Sequence, residues 1–243
     1  MHTNKRPSGI GGRLPFRLLL LAAGLNAAGA ASLIDEWKAS TVFWKQDEIG
    51  QKIIAAGDRS VLPQLAPYLS HEDRHIRGNA ALIFGGFGDP RGFEVITGIL
   101  NDRSDRPEGQ AAAVSSVGVY SPILQIQADR YYAVHLLGEL KDPKAIPVLI
   151  PLLNDPDLNY KVPWSLGQIG GEAAIQALIQ ALQNPSEDVR VVAIDALQTL
   201  HARDALPALR GMLNDHTRSH FGKLVTVSEA AQTAITAIEA KGN

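Results

Sequence analysis

From about residue 58 onward, apolar residues recur at steps of three and four rather than two. Ile146, Leu149, Ile150 and Leu153 make one such stripe, the pattern of an amphipathic helix that buries a single face. No run of β-branched alternation competes with it. Asn, Asp, Pro and Gly gather where each stripe ends, and the pairs Asp89-Pro90 and Asp142-Pro143 place a capping carboxylate ahead of a proline at the first helical position. The pattern therefore predicts short helices joined by tight turns.

The helices repeat. SVLPQLAPYLSHED, GFEVITGILND, AIPVLIPLLND, AIQALIQALQNP and ALPALRGMLND align Leu69, Leu100, Leu153, Leu182 and Leu213 at intervals of 31, 53, 29 and 31. A second column, Phe84, Leu137, Leu166 and Leu197, keeps the intervals of 53, 29 and 31. Each unit reads as a helix, a turn, a second helix and a turn into the next unit. One helix pair cannot bury its own stripe, so the units are predicted to stack as a solenoid.

The unit D-P-x-A-I-P-x-L-I-x-L-L-x-D, followed by V-R-x-x-A-x-x-A-L-x-x-L, resembles the HEAT repeat, particularly the short form associated with phycobilisome lyases. A proline column (Pro63, Pro147, Pro207) and a basic column (Arg77, Arg130, Arg190) keep the same register. The resemblance covers about residues 41 to 240. It implies an all-α, right-handed α-solenoid of about five HEAT-like helix pairs with N-terminal capping helices, first helices outside and second helices lining the concave side. It also implies that Arg77, Arg130 and Arg190 form a structural ladder of hydrogen bonds between units. About function it implies less, because such folds serve many unrelated partners.

The repeat is irregular in three places. An insertion occupies about residues 103 to 124, the unit around Tyr160 has a shortened turn with Asn159 at the basic position, and the last unit has extra residues at about 215 to 226. The expected division is a signal peptide at 1–30, capping helices at 31–57 and the solenoid at 58–240.

Composition narrows the function. Lys5, Arg6, Arg13 and Arg17 precede the apolar run Leu18 to Leu25, and Ala28-Gly29-Ala30 follows, which reads as a secretory signal cleaved near Ala30. That run is too short to cross a bilayer, so no membrane span is expected and the protein is predicted to be exported, periplasmic or secreted. The formal net charge of −2 becomes about −6 without the leader, which argues against nucleic-acid binding. No cysteine is present, excluding disulfides, thiol chemistry and a Cys-linked lipid anchor.

One motif suggests catalysis. His71-Glu72-Asp73-Arg74-His75, with Gly78 behind it, matches the zinc-protease pattern H-E-x-x-H. In register, however, His71 falls on Asn184, Asp73 on Ser186 and His75 on Asp188, so the motif occupies a turn, with Asp73 as the N-cap. The third histidine of the longer pattern would be residue 81, which is Ala81. A zinc metalloprotease is thus a distant alternative, and no nucleophile elbow or P-loop is present.

The binding candidates are Tyr131, His135, Tyr160, Lys161, Trp164 and Gln168 near the second helices of the central units, beside Tyr132, together with Tyr120 in the insertion. Clustered aromatic and cationic residues are the kind that dominate interface energetics. The expectation is a monomeric, non-enzymatic protein-interaction scaffold of the bacterial envelope or exterior. It binds a protein or peptide on its concave face without cofactor or metal, and the insertion folds over the groove. The family resemblance supplies the alternative, a bilin lyase-like or ligand-binding HEAT protein that attaches or detaches a bilin.

Overall fold

The computed structural model describes residues 27–105, 122–220 and 225–241, and every regular element among them is helical. Helices α1 (Ala27–Ala39) and α2 (Phe43–Ala56) cap the N-terminal end. Five helix pairs follow. Their leading members contain α3 (Leu62–Leu65), α5 (Pro90–Asn101), α7 (Ile146–Leu149), α9 (Gly171–Ala181) and α11 (Leu206–Gly211). Their trailing members are α4 (Arg74–Gly86), α6 (Pro122–Glu139), α8 (Val162–Ile169), α10 (Glu187–Thr199) and α12 (Val227–Ala240).

The proline column explains why three leading members are not continuous α-helices. Pro63 and Pro67 lack the N–H groups that would bond the carbonyls of residues 59 and 63. The chain there tightens into 3₁₀ turns on either side of α3, and the same happens around α7 at Pro147 and Pro151 and around α11 at Pro207. This moves one predicted core residue. Ile146, Leu149 and Leu153 are buried as the stripe requires, but Ile150 is 38% exposed, because the tighter turn after Leu149 advances each side chain by more than the α-helical angle.

The aligned columns form the spine of the core. Phe84, Leu137, Leu166 and Leu197 are all at 0% exposure. In the other column Leu100, Leu153 and Leu182 are buried, while Leu69 and Leu213, in the first and last units, are half-buried. Helix α4 is the seam between two apolar clusters: Ala80, Ile83 and Phe84 pack with Trp37, Ile49 and Leu65, whereas Ala81 and Leu82 join the larger C-terminal cluster. Gly92 lets α5 lie directly on α4, since a Cβ there would fall on the backbone of Gly85 and Ala81.

Helices α2, α4, α6, α8, α10 and α12 pack each against the next, forming a continuous second-helix face. Their starts carry the expected caps: Asp73 accepts from the His75 and Ile76 amides, Ser186 from Val189, and Thr226 makes a reciprocal capping box with Glu229. Between units, Arg130 pairs with Asp155 at 2.7 Å and Arg190 with Asp215 at 3.0 Å. Arg77 lies 3.7 Å from Asp102 and donates to its own turn carbonyl at His71.

Two irregular segments are partly described. Pro122, Ile123 and Leu124, expected in the insertion, instead form the first turn of α6, with Ile123 69% exposed. Residues 106–121, including Tyr120 and the loop expected over the groove, lie outside the described residues. In the last unit Arg218 and Thr226 form an antiparallel bridge, extended by the Ser219 amide donating to Val225 and the Val227 amide to Thr217.

Candidate functional site

HEDRH does not form a ligand pair. His71 ends the preceding 3₁₀ turn, where its Nδ1 accepts from the Asp73 amide and its ring stacks on Tyr68. His75 sits inside α4, stacked on Phe43 at 4.5 Å with its Nε2 3.7 Å from Asp129. A zinc pair needs both histidines on one face of one helix; here one is outside the helix and each already has its own aromatic support.

The central candidates do come together. The shortened turn before α8 is pinned by Leu158, which is wholly buried, and by the Lys161 amide donating to its carbonyl. This swings Tyr160 and Lys161 against α6. There Tyr131 and Tyr160 lie 5.4 Å apart, and the Lys161 Nζ is 5.6 Å from the Tyr131 ring centroid and 3.3 Å from that of Trp164. One turn along α6, His135 stacks on the same indole at 4.7 Å. Trp164 is thus a platform for its own chain's His135 and Lys161 rather than a free anchor.

The environment is desolvated. Burial lowers the Lys161 ammonium to about 8, against the opposing field of Glu139, while the indole face favours the charged form. Burial, with the neighbouring Tyr160 hydroxyl, pushes Tyr131 up to about 12. Tyr132 is driven well above the usual phenol value, first by burial and then by the Asp47 charge, as its hydroxyl donates to Asn79.

Two further acidic residues reach this site from sequence positions that carried no local signal. Asp47 of α2 lies 3.9 Å from His135, and Gln51, one turn along α2, donates to Glu139. Asp47 Oδ1 and His135 Nδ1 are buried, and neither makes a hydrogen bond. Recesses open on both sides. One of about 310 Å³ is walled by Tyr131, Tyr160, Gln127, Ala128 and Asp157. The other, of about 180 Å³, is walled by Trp164, Gly167, Gln168, Val192 and Asp195. Asp195 also borders a third recess, of about 310 Å³, toward α12.

Beside the site, Arg74 makes the most buried ion pair of the described residues. Its guanidinium reaches Asp129 at 2.9 Å, Asp102 at 2.8 Å and the carbonyl of Ser104, and Gln125 holds the other Asp129 oxygen. Arg74 had appeared only as an interior letter of HEDRH. A separate trio, Glu187, Asp188 and His220, has potential ligand atoms within 4.8 Å of one another. Asp188 already accepts from the Ser219 hydroxyl and the His220 amide, and the His220 ring pairs with Glu187.

Residues 126–190, which contain every described candidate of this site, match the family model for HEAT repeats. This segment carries HEAT repeats. The chain is 36% identical over 95 residues to phycocyanobilin lyase subunit alpha of a Picosynechococcus species, covering 35% of each chain. It is 32% identical over 152 residues to the bilin biosynthesis protein PecE of a Nostoc species, covering 61% of this chain and 54% of that one. The chain thus spans about a third to a half of the length of the curated relatives it matches. Among solved structures, the complex of CpcE and CpcF of phycocyanin lyase from Nostoc aligns at 18% identity and a TM-score of 0.42, over 88% of this chain and 83% of that one. A designed armadillo repeat protein aligns at 17% identity and a TM-score of 0.42, over 87% and 92%.

These relatives correct three expectations. A non-enzymatic envelope scaffold is not what the similarity supports, since the relatives are named for a lyase and for bilin biosynthesis. The expectation that the protein is no enzyme falls on the same finding. So does the periplasmic or secreted address, and the site expected for leader cleavage, Ala30, lies inside α1. No helix of the described residues is long and apolar enough to cross a membrane.

Proposed function

We propose that this protein acts in bilin lyase-type chemistry, holding an open-chain tetrapyrrole on its second-helix face for attachment to, or removal from, a partner protein. The observation that carries the reading is 36% identity to a phycocyanobilin lyase subunit and 32% to PecE, joined to a half-buried aromatic and cationic site within residues 126–190. The chemistry of the site supports it. A bilin presents flat conjugated rings, pyrrole N–H groups and two propionates, and the site offers Tyr131, Tyr160 and Trp164 as apolar walls beside an ammonium and buried carboxylate and imidazole atoms. With no cysteine in its sequence, this chain has no thiol of its own for a thioether link, so its hold on the pigment is non-covalent.

The partner is a protein that receives or surrenders the bilin, and the second-helix face is where it meets the pigment. The test is an absorbance titration of phycocyanobilin with the purified chain. Binding in a desolvated groove extends and rigidifies the pigment, so the red band shifts and strengthens relative to the near-ultraviolet band. A pigment spectrum unchanged at saturating protein would overturn the reading.

A further inference from the structure

Five Lys or Arg side chains of the described residues are withdrawn from solvent: Arg74, Arg77, Arg130, Arg190 and Lys161. The four arginines all have carboxylate partners, at distances from 2.7 to 3.7 Å. Among the described residues Lys161 has none at ion-pairing distance; Glu139 acts on it only as a more distant field. Its ammonium instead rests on Trp164 at 3.3 Å and faces Tyr131 at 5.6 Å. Trp164 lines the recess of about 180 Å³ and Tyr131 that of about 310 Å³, so the ammonium rests on one lining ring of each recess while lining neither itself.

A half-buried ammonium without a counter-ion has lost part of its hydration and gained only the weaker attraction of aromatic faces. An anionic group presented from either recess would complete it with a charge-assisted hydrogen bond. We propose that Lys161 is the carboxylate-reading residue of the site, binding a propionate of the ligand while the attached pyrrole ring lies against Tyr131 and Tyr160 or against Trp164. The inference rests on the bilin reading and adds which part of the pigment is recognised, and by what. Trp164 acts here as a positioning residue: stacked with His135, it holds the Lys161 ammonium over its ring.

The burial that lowers Lys161 to about 8 leaves it charged at neutral pH, as a carboxylate receptor requires. A solvated surface lysine would discriminate little between a carboxylate and its ester; a desolvated one discriminates strongly, because the ester offers neither charge nor compensation for the ammonium.

The experiment compares phycocyanobilin with its dimethyl ester, titrated by visible absorbance against the full chain, Lys161→Met and Lys161→Arg at low ionic strength. Expected results are about tenfold weaker binding of the free acid by Lys161→Met, about tenfold weaker binding of the ester by the unsubstituted protein, and no further loss when the two changes are combined. Lys161→Arg should keep most of the acid's affinity. If acid and ester bind the unsubstituted protein equally, the inference is wrong while the bilin reading stands, and that comparison needs no variant to fold. If Lys161→Met weakens both pigments alike, Lys161 packs rather than reads charge. Should neither pigment bind, both readings fall together.

Discussion

Arg130 and Asp155 meet at 2.7 Å across an interval of 25 residues, and the same interval separates Arg77 from Asp102 and Arg190 from Asp215. Each arginine of a trailing helix therefore reaches the turn that closes the next leading segment. In a solenoid, where each unit touches only its neighbours, such a contact ties one interface and no other. Arg130 is the most enclosed member, with 4% of its side chain exposed and its Nε donating to the Leu100 carbonyl.

Replacing Arg130 with Met should accordingly lower stability by about 3 kcal/mol, because it strands a carboxylate and a carbonyl that lose their shared donor. Urea unfolding of Arg130→Met, Asp155→Asn and the double variant gives the coupling directly. A coupling energy near zero would mean that the interface is held by packing alone.

Acid should act at Asp102. Partial burial raises its carboxyl, but hydrogen bonds from Ser104 and Arg74 outweigh this and hold it at about 2, below its ordinary 3.8. A depressed carboxylate contributes stability that is present above pH 4 and lost as pH falls toward 2. Allowing for solvent at a side chain 30% exposed, the loss is about 1 kcal/mol. The stability gap between the unsubstituted chain and Asp102→Asn should close over that window; a gap constant from pH 6 to pH 2 would contradict the assignment.

At high pH the same sign holds for Lys161. Its ammonium is lowered to about 8 in the fold against an ordinary 10.5, so the unfolded chain binds more protons between those values and stability rises with pH across the interval. Screening at this half-buried position brings the rise to about 1 kcal/mol. Lys161→Met should abolish it. Matching urea midpoints for the two proteins at every pH from 7 to 10.5 would rule the effect out.

Gly92 should tolerate no side chain. Because a Cβ there meets the backbone of Gly85 and Ala81 rather than the end of a flexible side chain, Gly92→Ala must push α5 off α4. The expected cost is about 2 to 3 kcal/mol, read as a lower melting temperature. Gly98→Ala on the same helix has nothing within 4 Å of the added carbon and should raise stability slightly. Equal melting temperatures for the two variants would refute the close approach.

Much of this architecture is legible along the chain. The capping role of Asp73 follows from its register with Ser186, and that register also takes HEDRH out of contention, since His71 ends outside the helix that holds His75. His135 stacks on Trp164 and Tyr131 lies against Tyr160, residues that the sequence grouped only as clustered aromatic and cationic candidates. By contrast, Arg74 looked like filler in a motif, yet it spans 55 residues to a wholly buried Asp129. Ile150 fitted the buried stripe and lies outside it, because two prolines changed the local helical pitch.

By itself the sequence determined the unit, its period and the capped starts at Asp73 and Asp89, since each depends on residues within about four positions of one another or on a column that repeats. Only the tertiary structure decided what the central face contains. Asp47 and Gln51 of α2 come to His135 and Glu139 of α6 across 88 residues, an approach set by how the intervening units stack. That no described carboxylate comes within ion-pairing distance of Lys161 is likewise a property of the packed array. Periodicity tells which side of a helix is buried, but whether a charge on that side finds a partner depends on what the neighbouring units bring to it.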